Sequence, residues 1–316
     1  MKSIGGYFEL ELNINSSFNN KSLKLNTGRN ALQLILKNIK YSKVYIPYYT
    51  CEAVIDSLIK LNVTFEFYHV NLDLEPEFDY SLLKNEECFF YTNYFGLKDD
   101  FIIYLSGKCN NLIIDNSQSF YSTPLINTPS FSSARKFLGV PDGSYLSANI
   151  PFEEYDKLPV GNSFERFHSL LKRIDLCAED GFADFQLSEK IIKDLPIEKM
   201  SKLTDKILTS INHDLVAEIR CRNFTYLAEK LDKYNEYKIN WNGRQIPMVY
   251  PFLTKRSKLR SKLFENKIYT ASYWPNVIKN VCKTSLEFYI TNNFIFLPID
   301  QRYSKEEMEY IINIMK

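Results

Sequence analysis

Several features that would assign a function directly are missing from this sequence. Its 316 residues carry a formal net charge of +1, without the basic excess that a nucleic-acid-binding face requires. No apolar run is long enough to span a bilayer, and the N-terminus has no apolar core of signal-peptide length. We therefore expect a cytoplasmic protein that binds neither nucleic acid nor membrane.

Cysteine, histidine and glycine are too scattered to form the usual motifs. The six cysteines contain no CxxC pair and the three histidines are far apart, so nothing nominates a metal site. We interpret the cysteines as reduced thiols. Gly28 stands alone where a dinucleotide-binding fingerprint needs three glycines, which excludes that fingerprint there.

The first half of the chain does have a regular alternation of strand-like and helix-like segments. Hydrophobic residues make up 45% of the chain, enough for a large core. Strands are predicted at 43–50, 64–70, 88–96 and 111–115, and helices at 31–40, 51–62 and 99–108. This order predicts an α/β fold with a mainly parallel sheet flanked by helices, whose ligands bind at the carboxyl ends of the strands.

The character of the chain changes after about residue 160. Long helices are predicted at 163–180 and 213–234, short strands at 237–241, 248–254 and 293–299, and a final helix at 305–316. We divide the chain into an N-terminal arm (1–24), a large domain (25–205) and a smaller C-terminal α+β domain (206–316).

Two stretches place polar groups where a ligand could bind. In LNTGRNAL the turn residue Gly28 leads into a helix that is expected to begin at about Asn30, and the free N–H groups of this helix start would make a phosphate seat. The alternative is an ordinary capped helix. Asp115 ends a buried strand, where it either caps a turn or pairs with a protonated ring nitrogen. Gln118 would then reach a neighbouring ring substituent.

A third stretch contains Lys136, which follows a run of small residues that includes Ser133. That setting permits a buried amine able to bind an aldehyde covalently, although most lysines are surface charges. A phosphate seat, then a strand-end acid, then a lysine is the order of groups that pyridoxal phosphate requires. They serve its phosphate, its ring nitrogen and its aldehyde respectively.

The sequence resembles the DegT/StrS family of nucleotide-sugar aminotransferases in the segments TGRNAL, IPYYTCEAV, NYFGL, IIDNSQSF and SSARKF–GVPDG. The resemblance implies fold type I of the pyridoxal-phosphate-dependent transferases, with a seven-stranded, mostly parallel sheet. It also implies a homodimer with active sites at the subunit interface. In the family pattern Lys136 binds the cofactor aldehyde, Asp115 pairs with the pyridinium nitrogen, and Gln118 contacts the ring hydroxyl. The amides and polar side chains near Gly28, Arg29 and Asn30 would hold the phosphate.

The chain departs from the family pattern around the phosphate. Arg29 stands where the family usually has Ser or Thr. Phe131 replaces a common phosphate-binding Ser, with Ser133 nearby as a substitute. In the family, a segment with an Asn and an Arg reaches the phosphate from the partner subunit. The comparable segment here, 181–189, lacks both residues.

A further departure concerns the face of the cofactor ring. Cys51 occupies a position where the family commonly has an aromatic residue that stacks on this ring. Tyr49 or Tyr94 would then supply the stacking face.

The resemblance implies a pyridoxal-phosphate-dependent aminotransferase that transfers an amino group, by family habit from glutamate, to a keto group of a nucleotide-linked sugar. A sugar dehydratase is an alternative with the same cofactor, but such enzymes replace the lysine with histidine. The alternative of a different class is a binding or scaffold protein that kept the fold and lost the chemistry.

Overall fold

A computed structural model of the protein describes residues 9–13 and 22–316. The strands of its large sheet are Leu23–Leu25 (β1), Lys43–Pro47 (β2), Phe65–Val70 (β3), Pro76–Glu77 (β4), Glu87–Thr92 (β5), Leu112–Asn116 (β6), Ser130–Ser132 (β7) and Ser144–Ser147 (β8). Their spatial order is β1-β8-β7-β6-β5-β2-β3-β4. The central strands from β7 to β3 run parallel, and β1, β8 and β4 pair antiparallel with their neighbours.

The predicted α/β fold with a mostly parallel sheet flanked by helices is confirmed. The predicted number of seven strands is wrong, because the described residues form eight. The very short β4 pairs with the end of β3 through Glu77 and Pro76. Proline has no N–H for a further ladder, so such a strand is suited to the edge of a sheet.

Helices cover both faces of the sheet. The helices of the described residues are Gly28–Asn38 (α1), Glu52–Lys60 (α2), Asp99–Ser106 (α3), Phe152–Asp156 (α4), His168–Asp175 (α5), Phe182–Lys193 (α6), Lys202–Ser210 (α7), His213–Leu231 (α8), Leu259–Glu265 (α9), Val277–Asn280 (α10), Leu286–Asn293 (α11) and Lys305–Met315 (α12). Alternate residues of β6 enter different cores. Ile113 packs in one with α1 and α2, and Ile114 packs in the other, which extends into the C-terminal part.

The C-terminal part contains a second, antiparallel sheet of Tyr250–Leu253 (β9) and Phe294–Leu297 (β10). These match two of the three strands predicted there. The strand predicted at 237–241 is absent, and Trp241 instead donates its indole N–H to the Gln245 carbonyl in a loop. The helix predicted at 163–180 is also wrong, because a 3₁₀ turn precedes α5, which ends at Asp175.

The predicted domain bounds at 24/25 and 205/206 stay predictions. Residues 1–8 and 14–21 of the predicted arm lie outside the described residues, and β1 crosses the first bound. Within the described ranges, no helix combines the length and apolarity needed to cross a membrane. No group of three or more His, Cys, Asp or Glu in those ranges could hold a metal ion, and all six cysteines are free.

Candidate functional site

Helix α1 begins at Gly28, earlier than predicted, because Thr27 caps it. Thr27 Oγ1 accepts a hydrogen bond of 3.1 Å from the Asn30 backbone N–H. In the described part of the chain, no acceptor contacts the N–H groups of Gly28 and Arg29, and the first turn contains no acid. This helix end keeps the free donors and the positive dipole end that favour an anion.

Asp115 lies at the carboxyl end of β6, beside Thr92 of β5. It is only 6% exposed, and its Oδ1 accepts a 2.7 Å hydrogen bond from the Ser117 backbone N–H. One oxygen therefore caps a turn, as the simpler interpretation predicted. Burial raises the pKa of Asp115, while hydrogen bonds from Ser117 and the charge of Lys136 oppose the rise. A cation placed against this carboxylate would stabilise its ionised form.

Gln118 is fixed at one end and unpaired at the other. Its Oε1 accepts a 3.0 Å hydrogen bond from the Phe95 backbone N–H. Its Nε2 is buried and has no acceptor within the described residues, although the side chain is only 1% exposed. An unpaired buried donor costs about 1–3 kcal/mol, so a ligand that accepts this hydrogen bond gains binding free energy.

Lys136 ends a 3₁₀ turn that spans Ala134–Lys136. The prediction of a buried amine is wrong, because the side chain is exposed. Ala134 and Phe137, which are three residues apart, both pack into the core and leave Lys136 on the other side of the turn. Its Nζ lies 4.9 Å from the centroid of the Tyr273 ring.

Buried side chains hold the backbone that follows Lys136. The Phe137 carbonyl accepts hydrogen bonds of 2.9 Å from Arg220 Nη2 and from Gln301 Nε2. Arg220 is itself buried on α8 and donates a further bond to the Met248 carbonyl over 3.0 Å. The turn that carries Lys136 is therefore anchored to the C-terminal part of the chain.

These groups meet around one cavity of about 220 Å³. Its lining residues are Thr27, Gly28, Arg29, Leu32, Cys51, Ala53, Val54, Asp115, Ser117, Gln118, Phe131, Ser133, Arg135, Lys136, Glu189, Ile192 and Trp274. The predicted site residues among them are Gly28, Arg29, Asp115, Gln118, Ser133 and Lys136. We call Asp115, Gln118 and Lys136 the strand-end set.

Two predicted site residues, Asn30 and Tyr49, do not line the cavity. The Asn30 side chain donates to the carbonyls of Leu195 and Pro196, over 3.2 and 2.6 Å, so it ties α1 to the segment after α6. Tyr49 is fully buried, with its ring centroid 5.1 Å from that of Trp274. Trp274 is therefore the aromatic side chain that reaches the cavity in this region.

The second predicted source of a stacking face, Tyr94, is also absent from the lining. It is fully buried, and its hydroxyl donates to the Tyr49 carbonyl over 2.8 Å. Cys51 does line the cavity, and burial raises the pKa of its thiol. The aromatic ring missing at position 51 is thus not replaced by either predicted tyrosine.

Two arginines line the cavity, and each is paired with a carboxylate. Arg29 Nη1 lies 3.0 Å from Asp56 Oδ2, and Arg135 forms an ion pair with Glu189 of α6. We call Arg29 and Arg135, with these two acids, the arginine set. Sequence reasoning assigned a role to Arg29 alone.

Ser117, Arg135 and Trp274 are among the lining residues that sequence reasoning missed. A signal for the first two was their proximity in sequence to Asp115 and Lys136. Trp274 lies more than a hundred residues beyond them, so only the fold brings it to the cavity.

No family model matches the chain, and no curated protein is significantly similar to it. Solved structures do share its fold. DesV from S. venezuelae, solved in complex with a ketimine intermediate, is 15% identical with a TM-score of 0.68, over 93% of this chain and 83% of its own. A sugar aminotransferase from Micromonospora echinospora is 12% identical with a TM-score of 0.66, over 93% and 86%.

A third similar structure is the E. coli GDP-4-keto-6-deoxy-D-mannose-3-dehydratase with bound hydrated PLP. It is 14% identical, with a TM-score of 0.63, over 93% of this chain and 87% of its own. These identities are low, and the likeness therefore establishes the fold: fold type I, as predicted.

Proposed function

We propose that the protein is a pyridoxal-phosphate-dependent aminotransferase of the DegT/StrS family, acting on a keto group of a nucleotide-linked sugar. The observation that supports this most strongly is the strand-end set, because Asp115, Gln118 and Lys136 line one cavity in a chain with this fold. Two of the similar structures, a sugar aminotransferase and a PLP-bound sugar dehydratase, point to the same chemistry.

The cavity residues fit this cofactor. Asp115 is a buried carboxylate that lacks a hydrogen-bonded cation among the described residues, and it suits a protonated pyridine nitrogen. The unpaired Nε2 of Gln118 suits an oxygen acceptor on the ring. Lys136 offers a primary amine at the cavity wall. When bound, the cofactor supplies an electron sink for the carbanion that forms on the substrate.

Each member of the strand-end set has a defined task in this reaction. The charge of Asp115 keeps the proton on the ring nitrogen that faces it. Gln118 orients the ring through its amide donor, because its other end is fixed on the Phe95 N–H. Lys136 Nζ holds the cofactor between reactions and, once released, removes and returns a proton at the substrate carbon.

We further propose that glutamate is the amino donor and that the protein is a homodimer. The dimer is supported by exposed apolar side chains along α5 and α6, next to the cavity wall that Glu189 and Ile192 form. They are Leu171, Ile174, Leu176, Phe182, Phe185, Leu187 and Ile191. A concentration of exposed apolar side chains on two helices that contact each other is typical of protein interfaces.

The dehydratase alternative rests on one of the similar structures. Lys136 argues against it, because an amine at that position can carry the proton that amino transfer requires. Incubation of the cofactor-loaded protein and a keto sugar with and without an amino donor distinguishes the two activities. Only the aminotransferase transfers the amine of the donor to the sugar.

Absorbance and borohydride reduction test the proposal. Wild-type protein mixed with pyridoxal phosphate should become yellow, and reduction should fix the cofactor on the peptide that contains Lys136. Lys136→Ala should abolish this fixation, and Lys202→Ala, at an exposed lysine of α7, should not. Wild-type protein that takes up no cofactor would support the scaffold alternative.

A further inference from the structure

The two guanidinium groups of the arginine set line the cavity, and Lys136 is the third basic residue in its lining. Arg29 is the second residue of α1, and Arg135 directly precedes Lys136. Both line the cavity together with Gly28, Ser117 and Ser133. The cavity is therefore rich in cationic donors.

A second observation shows that this region is built for a ligand. The N–H groups of Gly28 and Arg29, which begin α1, have no acceptors in the described part of the chain, and no acid occupies the first turn. Gln118, which lines the same cavity, is buried with an unpaired amide donor. A ligand that satisfies both carries hydrogen-bond acceptors and negative charge.

The carboxylate partners of the two arginines leave them able to bind an anion. The Arg29 and Arg135 side chains are 17% and 23% exposed, and Asp56 and Glu189 are more exposed still. Ion pairs of this kind contribute little net stability. Each guanidinium has five N–H donors, so it can keep its acid partner and still contact a phosphate with a pair of donors.

We propose that Arg29 and Arg135 hold the phosphate of the cofactor, from the same chain that supplies Lys136. Asp56 and Glu189 act as positioning residues that orient the two guanidinium groups. The inference rests on the proposed function, and it assigns the phosphate to two charged side chains on one subunit. The two arginines would thereby replace the hydroxyl and amide ligands of the phosphate that the family pattern has and this chain lacks.

The test compares pyridoxal phosphate with pyridoxal, which has the same ring and aldehyde but no phosphate. Binding to cofactor-free protein is followed by absorbance for the wild type, Arg29→Gln and Arg135→Gln. Each substitution should weaken pyridoxal phosphate binding by about 10- to 100-fold, as expected for a lost charge-assisted contact. Pyridoxal binding should change by less than about twofold, because neither arginine contacts the ring in this assignment.

Matched variants exclude trivial explanations. Arg222→Gln removes an exposed arginine on α8 and should leave both affinities unchanged. Arg29→Lys keeps the charge and should restore part of the preference for pyridoxal phosphate, which also shows that the position tolerates change. Inorganic phosphate should compete with pyridoxal phosphate in the wild type and compete less in Arg29→Gln.

The outcomes separate this inference from the proposed function. Wild-type protein that binds neither compound would overturn the proposed function. Wild-type protein that binds pyridoxal phosphate at Lys136 while both glutamine variants keep its preference over pyridoxal would overturn only the assignment of the arginines.

Discussion

The strand-end set and the arginine set share one cavity but are held in different ways. Asp115 and Gln118 are buried and fixed by backbone N–H groups. Arg29 and Arg135 are half-buried and fixed by acidic side chains from other helices. The first arrangement is rigid, because its backbone donors, Ser117 and Phe95, lie just beyond the carboxyl ends of β6 and β5. The second can adapt, because each ion pair can rearrange at little cost in free energy.

This difference suits the two ends of the proposed cofactor. Proton transfer at a carbon requires a ring held at a fixed angle, and small misplacements are costly. A phosphate needs only charge and donors, which several arrangements of arginine can provide. We therefore expect changes in the strand-end set to affect the reaction, and changes in the arginine set to affect cofactor affinity.

The largest effect is expected from Asp115→Asn. Asparagine keeps the acceptor for the Ser117 N–H but lacks the charge that keeps the ring nitrogen protonated. Reaction of the loaded protein with an amino donor, followed by absorbance, should slow by about 10²- to 10³-fold, the usual cost of removing one electrostatic group. Asp100→Asn, at an exposed acid of α3, is the control. An equal rate in both variants would contradict a role for the charge of Asp115.

The same substitution, Asp115→Asn, should stabilise the cofactor-free protein at neutral pH, although it slows the reaction. Burial raises the folded-state pKa of Asp115 above its ordinary 3.8, so the folded protein holds this proton more tightly than the unfolded chain does. The stabilisation that this group contributes to the folded state is fully present below pH 3.8, its ordinary pKa, and is lost as pH rises through the folded-state pKa. Cofactor-free Asp115→Asn should therefore unfold at higher urea concentration than the wild type at pH 7, and the difference should vanish in acid. A less stable variant at pH 7 would show that the carboxylate already has a stabilising partner.

Arg220→Met tests the rigidity of the strand-end set. The substitution removes one of the two donors to the Phe137 carbonyl and the arginine donor to the Met248 carbonyl, and it should lower the free energy of unfolding by about 3 kcal/mol. It should also weaken pyridoxal and pyridoxal phosphate binding equally, because it disturbs the turn that carries Lys136. Arg222→Met, on the exposed side of the same helix, is the control. A selective loss of pyridoxal phosphate binding would mean that Arg220 acts on the phosphate instead.

Asp56→Asn tests how the arginine set is oriented. Asp56 Oδ2 lies 3.0 Å from Arg29 Nη1 and 3.6 Å from Lys193 Nζ, and the Asp56 side chain on α2 is partly exposed. Loss of such a pair should reduce the preference for pyridoxal phosphate over pyridoxal by about two- to fivefold. Glu52→Gln removes an acid of α2 that, among the described residues, pairs with Lys193 and not with Arg29, and it should have no effect. A stronger preference in Asp56→Asn would show that Asp56 competes with the phosphate for Arg29.

The strand-end set could be predicted from the sequence because its members belong to single local patterns. Asp115 follows an apolar strand and Lys136 follows a run of small residues, and parallel strands bring such ends to one edge. The arginine set could not be predicted in full, because Asp56 and Glu189 lie 27 and 54 residues from their partners. The burial of Asn30 and Tyr49 likewise depends on Pro196 and Trp274, which are remote in sequence.

A similarly small effect is expected from Gly28→Ala, at the position where both sets meet. A Cβ at this position would lie 3.2 Å from Ser117 Oγ and 3.4 Å from the Phe131 ring, so Ser117 would have to shift by a few tenths of an ångström. Because Ser117 also donates its N–H to Asp115, the shift should weaken pyridoxal and pyridoxal phosphate binding together, by about threefold. Ser117→Ala removes the crowded hydroxyl, so Gly28→Ala should cost less binding free energy in that background than in the wild type. The same cost in both backgrounds would mean that the helix end and the strand end are not mechanically connected through Ser117, and that each set binds its part of the cofactor independently.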